Sequence, residues 1–318
     1  MTETKMPERA QVLVDFKPTR EFFVGIDSDG CAMDAMDIKH QECFTPAYIK
    51  YFNLQAASTL VRETALFVNL YSTTRGQNRW VALARLFELL RQRPEVLERG
   101  VRIPEGRELQ KFLDSGYPRS DRGIADFAAA QPSVEIEECM EWGKGVNELI
   151  EWMVHGCAPF PGVREAFDAM AGQVDCMTVS ATPMEALERE WHEHDLAGYM
   201  KVIAGQEMGS KAQHVHWAAK GKYEDDHIML IGDAPGDRDS AFSEGVLFYP
   251  IMPGSEAASW QRFREEALPR FLGGTYRGEY QDALVAEYES LLPATPPWRT
   301  ISPVPADPES NPGDIQLK

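Results

Sequence analysis

Three short apolar runs, each ending at once in polar residues that can do chemistry, constrain this chain more than any other feature. The first is Phe22 to Ile26, which stops at Asp27 and Asp29. The second is Cys176 to Val179, followed by Ser180-Ala-Thr-Pro. The third is Ile228 to Ile231, followed by Gly232-Asp233. Short apolar runs bounded by turn signals suit strands buried on both faces. Helical spacing between the second and third runs, over 183–196 and 211–220, makes the pattern βαβ and predicts a parallel sheet. Ligands bind beyond the carboxyl ends of such strands. All three polar clusters stand at those ends, so the fold class can bring them to one place.

Residues 41–157 read differently. Segments such as 54–71, 80–92 and 146–154 have helical apolar spacing, and little of the stretch reads as strand. An all-helical unit inserted after the first strand is expected. The architecture is then an α/β, Rossmann-like three-layer core with a parallel sheet, built from 1–40 and 158–292, including helical pieces near 257–271 and 279–292. The inserted helical cap is 41–157, and a loose, proline-rich tail is expected over 293–318.

Asp27 and Asp29 share a face of an extended chain. At about 5 to 7 Å, two such charges repel by a few kcal/mol at a protein-like dielectric. A metal ion, a lysine, a shared proton or solvent must offset this. In chain order the chemistry-bearing residues are Asp27, Asp29, Ser180, Lys211, Asp233 and Asp237. These types suit phosphoryl transfer. A carboxylate can be the nucleophile and another the general acid and base. A serine and a lysine can hold the transferring oxygens. Further aspartates supply the hard oxygen ligands that Mg2+ prefers.

Four segments in this order, "GIDSDG", "MTVSATP", "GSKAQHV" and "IMLIGDAPGDRDSAFSEG", resemble the four motifs of the haloacid dehalogenase-like hydrolase superfamily. "PFPGVREAF", from Pro159, is similar to the family's re-entry into the core after a cap. The resemblance covers roughly 20–40 and 158–252, and it implies a C1-type helical cap. It implies Asp27 as nucleophile, Asp29 as general acid and base, and Ser180 and Lys211 as phosphoryl ligands. Asp233 would hold Mg2+ with Asp27 and the backbone carbonyl of Asp29, and Asp237 would support the metal or Lys211. Family dehalogenases usually lack the second aspartate of the first motif, so Asp29 favours phosphoryl chemistry. The expectation is a Mg2+-dependent phosphatase acting on a small phosphorylated metabolite.

Within the insertion, "NLYSTTRGQNRW" is dense in donors. Arg75, Asn78 and Arg79 are expected to face the site and read the leaving group, since arginine suits bidentate recognition of carboxylate or phosphate. Lys39 and His40, just past the first motif, are weaker candidates. His192, His194, His214 and His216 are read as surface residues. At i and i+2 on a helix, the members of each pair point apart.

The formal net charge of −18 argues against nucleic acid, which requires a basic face, and against an acidic membrane surface. The five cysteines are scattered with no C-x-x-C pair, so reduced thiols in a cytoplasmic protein are expected. The polar start shows no apolar leader. Competing readings are a phosphomutase or a phosphonate hydrolase, the latter requiring a cap lysine such as Lys111 or Lys144. A non-turnover phosphate-binding protein and a receiver domain complete the set. A receiver carries its phospho-accepting aspartate on a later strand and has no large insertion after the first. Oligomeric state is not legible.

Overall fold

The computed structural model of the protein describes residues 6–298 and residue 300. Five parallel strands form the core: β1 (Phe22–Ile26), β2 (Val174–Val179), β3 (Ile203–Ala204), β4 (Ile228–Gly232) and β5 (Leu247–Pro250), in the order β3-β2-β1-β4-β5. Helices cover both faces. β1 is therefore central, with every residue buried. This explains an apolar run with no alternation. Ile26 aligns with Thr178 on one side and Ile231 on the other. Asp27, Ser180 and Asp233 thus leave the sheet at the same edge.

Among the described residues, the regular elements between β1 and β2 are all helical, from a π-helical turn at Ile38–Phe44 to the helices Arg79–Arg91, Val134–Met153 and Val163–Met170. The inserted helices pack on a buried aromatic cluster in which Tyr48 stacks on Trp142 with ring centroids 5.1 Å apart. The segments entering and leaving the insertion run side by side. Asp34 N donates to Ala158 O at 3.0 Å, and Phe160 N donates to Ala32 O at 3.0 Å.

Two strands were not legible in the sequence. β3 has two residues. β5 is a short edge strand that ends at Pro250, as edge strands allow. The chain after β5 closes that edge: Phe248 N donates to Gln281 Oε1 at 3.1 Å, and Tyr276 Oη donates to Phe248 O at 2.7 Å. Within the expected tail, Trp298 packs edge-on against Phe67 at 5.4 Å and lies 4.5 Å from the Arg93 guanidinium. The remainder of that tail, from 301, lies outside the described residues. The five cysteines are free and buried. No helix among the described residues is long and apolar enough to cross a membrane.

Candidate active site

Each polar cluster is placed by the element that precedes it. Asp27 follows β1, and its backbone N donates to Ile231 O at 2.9 Å, continuing the ladder one residue past the strand. Ser180 follows β2 and is fixed by its N donating to Ala204 O at 3.1 Å. Its Oγ accepts from Thr182 N at 3.1 Å, which leaves the hydroxyl proton free to donate outward. Lys211 opens the helix Lys211–Ala218, where Ser210 and Gln213 form a capping box. That cap fixes the first turn and aims Lys211 across the sheet edge. Asp237 lies in the first turn of the helix Pro235–Ser243 and accepts from Ala234 N at 3.0 Å.

Asp27, Asp233 and Asp237 converge, with one carboxylate oxygen of each within 4.8 Å of the others. All three are at least nine-tenths buried. Lys211 Nζ lies between two of them, 2.8 Å from Asp27 Oδ2 and 2.5 Å from Asp237 Oδ1. Burial pushes the Asp27 carboxyl well above the ordinary carboxylate range. Lys211 pulls it down, and Asp237 and Asp233 push it further up. Asp233 is raised as well, by burial first, against the pull of Arg75. Carboxylates this close, and this reluctant to ionise together, call for a cation. Asp233 Oδ1 is buried with no hydrogen-bond partner. The donors are hard oxygens, so the trio fits Mg2+.

Asp29 stands apart from these three. Its carboxylate is not a member of the trio. It receives Lys39 Nζ on one oxygen and Thr182 Oγ1 on the other at 2.8 Å. Burial works upward on its proton affinity, but Lys39 and Thr182 outweigh it and hold the group ionised. Only its backbone carbonyl is left for the metal role that the sequence reading gave it. Ser28, between the two aspartates, accepts from Trp191 Nε1 at 2.9 Å. Glu190 lies beside it and is pushed up to about 7 by burial and then by Asp29.

The three residues expected to read a leaving group lie in the insertion, and each has other partners. Arg75 reaches the site, but its guanidinium binds Asp233 and Leu70 O and does not face open space. Asn78 is a helix cap: its Oδ1 accepts from Trp80 N at 3.1 Å, and its amide donates to Arg119 O at 2.8 Å. Arg79 lies over the Phe44 ring, donates to Asn147 Oδ1 at 2.7 Å and lies 3.9 Å from Asp121 Oδ1. Donor density alone did not distinguish a helix start from a recognition loop. Lys111 is exposed and pairs with Glu108 at 2.7 Å, and Lys144 is exposed. His214 is fully buried and not a surface residue. Two groups escaped the sequence reading, Thr182 on Asp29 and Tyr288, whose Oη donates to Asp233 O at 3.0 Å. Thr182 stands inside the second motif, where its hydroxyl was the available signal.

No family model matches the chain, and no curated protein matches it. Solved structures do. A haloacid dehalogenase-like hydrolase from Streptococcus pneumoniae is 14% identical over 79% of this chain and 98% of its own, with a TM-score of 0.45. A haloacid dehalogenase-like family hydrolase from Xanthomonas campestris is 12% identical over 82% of this chain and 97% of its own, with a TM-score of 0.45. A predicted phosphoglycolate phosphatase from Haemophilus somnus is 14% identical over 74% of this chain and 88% of its own, with a TM-score of 0.46.

Proposed function

We propose that the protein is a Mg2+-dependent phosphatase of the haloacid dehalogenase-like kind, acting on a small phosphorylated metabolite. The observation that carries this reading is the buried Asp27 carboxylate, paired with Lys211 and packed against Asp233 and Asp237 at the carboxyl ends of the central strands. A carboxylate so placed serves as a nucleophile toward phosphorus.

Asp27, Asp233 and Asp237 would hold Mg2+, which supplies a Lewis acid that neutralises phosphoryl charge. Ser180 and Lys211 bind the phosphoryl oxygens and orient them for in-line attack. An Asp27 carboxylate oxygen forms a bond to phosphorus, and the bond from phosphorus to the ester oxygen breaks. Asp29 takes up a proton, from solvent or from the substrate's own phosphoryl monoanion, as the substrate binds, and gives it to that leaving oxygen. Lys39 and Thr182 hold Asp29 ionised before substrate enters, and the phosphoryl charge arriving beside it raises its proton affinity. Water then attacks the aspartyl-phosphate and passes a proton to Asp29. The Asp27–phosphorus bond breaks, and inorganic phosphate leaves.

Phosphate release from an aryl phosphate and a panel of phosphorylated metabolites tests the reading, with and without Mg2+, on the native protein and on Asp27→Asn. Release that needs both Mg2+ and Asp27 supports it. Release that persists in Asp27→Asn would overturn the nucleophile. No release from any compound, with Mg2+ still binding, would move the reading to a mutase or a non-turnover binding protein.

A further inference from the structure

The loop Ser72–Gln77, between the helices Ser58–Asn69 and Arg79–Arg91, brings a second cation to the carboxylate trio. Arg75 is 3% exposed. Its Nη2 lies 2.6 Å from Asp233 Oδ2, and its Nε donates to the same oxygen at 2.8 Å and to the Asp233 carbonyl at 3.1 Å. Nη1 donates to Leu70 O at 2.9 Å. Two glycines make room for this pair. Gly30, at φ +77°, would with a Cβ come within 2.7 Å of Asp233 Oδ2 and 2.9 Å of Arg75 Nη2. Gly76, at φ +68°, would with a Cβ come within 2.5 Å of Ala234 Cβ. The loop is therefore seated directly on the turn that carries Asp233, and Tyr288 holds the same carbonyl from the other side.

Phosphoryl transfer as set out above gives this guanidinium no task. It occupies one oxygen of the carboxylate whose other oxygen, Oδ1, is buried without a partner. A tethered monovalent cation and a free divalent one would thus share a single acidic group.

We propose that Arg75 is a counter-ion borne by the helical insertion that competes with the divalent cation for Asp233, so that metal occupancy and docking of the loop oppose each other. The inference rests on the metal reading given above. A divalent and a monovalent cation sharing one carboxylate repel, and at about 5 Å even water-like screening makes that worth roughly a factor of ten in affinity. Release of Asp233 Oδ2 adds to this. Coupling is reciprocal, so the ion weakens the docking of Arg75 by the same factor that Arg75 weakens the ion. The metal-free chain then holds the insertion against the core, and loading of the ion loosens it.

The test is Mn2+ binding to the full chain by calorimetry, comparing the native protein with Arg75→Met and Arg75→Lys. Arg75→Met should bind at least tenfold more tightly, and Arg75→Lys, which keeps the charge, should stay within about threefold of native. If Arg75 merely pins the loop, its loss leaves the affinity unchanged or lower, and that result in a folded variant overturns the inference. Hydrogen exchange on the native protein gives a second reading that needs no variant. Mn2+ should speed exchange across 72–77, where Arg75 N donates to Ser72 O at 2.9 Å. Unchanged or slower exchange overturns the inference. Equal binding to the native and Arg75→Met proteins sinks this inference alone, whereas binding to neither sinks the metal reading with it.

Discussion

Lys211→Met probes the charge balance of the site, because methionine keeps most of the side chain's length and removes the ammonium with its charge and donors. Lys211 Nζ bridges Asp27 and Asp237 at 2.8 Å and 2.5 Å, with 16% of its side chain exposed. With all three carboxylates ionised and no metal, they face two cations, Lys211 and Arg75, and the site carries one net negative charge. Removal of Lys211 doubles that charge. Carboxylate oxygens within 4.8 Å of one another repel by at least about 3.5 kcal/mol per ionised pair at an effective dielectric of about 20. Breaking a buried pair from one side costs about 3–5 kcal/mol. Urea unfolding at pH 7 in chelator should show a loss of that size. A divalent ion takes the native site from one net negative charge to one positive, and the variant site from two negative to neutral. It should therefore restore more stability to the variant than it adds to the native protein. A loss below about 1 kcal/mol in chelator would refute the reasoning, as would equal stabilisation of both proteins by Mg2+.

Burial, followed by the charge of Lys211, pushes His214 down to about 4, so the folded chain resists a proton that the unfolded chain accepts near pH 6.5. Stability should fall by about 2–3 kcal/mol between pH 6.5 and 4 on this account, and His214→Gln should flatten that slope in urea titrations across the window. Gly76→Ala forces a side chain into left-handed backbone against Ala234 and should loosen the loop by about 1–3 kcal/mol, read as faster hydrogen exchange over 72–77. Asp175 accepts from Thr19, Arg20, Lys201 and Tyr223. Burial works upward on it, but the bonds from Lys201 and Thr19 hold it down at about 2. Asp175→Asn should lose about 2 kcal/mol at pH 7, and the gap should close as pH falls from about 4 to 2, because the depressed carboxyl contributes only above its unfolded value. A gap that stays constant over that range would rule out the assignment.

Asp27, Ser180 and Asp233 were legible because each stands where a buried strand ends, and strand ends are fixed by local hydrophobicity, whereas Lys211 and Asp237 were legible as residues of a helix's first turn. The central position of β1 was not stated by its own sequence, but five consecutive buried residues already excluded a one-sided strand. What stayed hidden depends on partners far along the chain. Arg75 meets a carboxylate 158 positions away, and nothing in "STTRGQ" distinguishes that destination from solvent. Asn78 illustrates the converse error: its position one residue before a helical run was a sufficient signal for a cap. Lys39 was noticed for its place, but its pairing with Asp29 depends on the π-helical turn, which spacing at 3.6 residues does not predict. Tyr288 and Trp298 lie in a segment with no motif, and their roles follow from packing alone.

The side-by-side crossings at Ala32–Asp34 and Ala158–Phe160 have a consequence for how such a chain can change. To the core, everything between them is one loop whose ends are already joined. Closing a loop becomes harder only slowly as it lengthens. The core is thus nearly indifferent to how much chain it carries there, and the insertion can be lengthened, trimmed or exchanged as a unit without disturbing the sheet. Beside the packing of Trp298 on Phe67 and Arg93, the exception is the contact that Arg75 and Gly76 make with the Asp233–Ala234 turn. An exchange that ignored those two residues would leave the sheet intact and alter the charge at its edge.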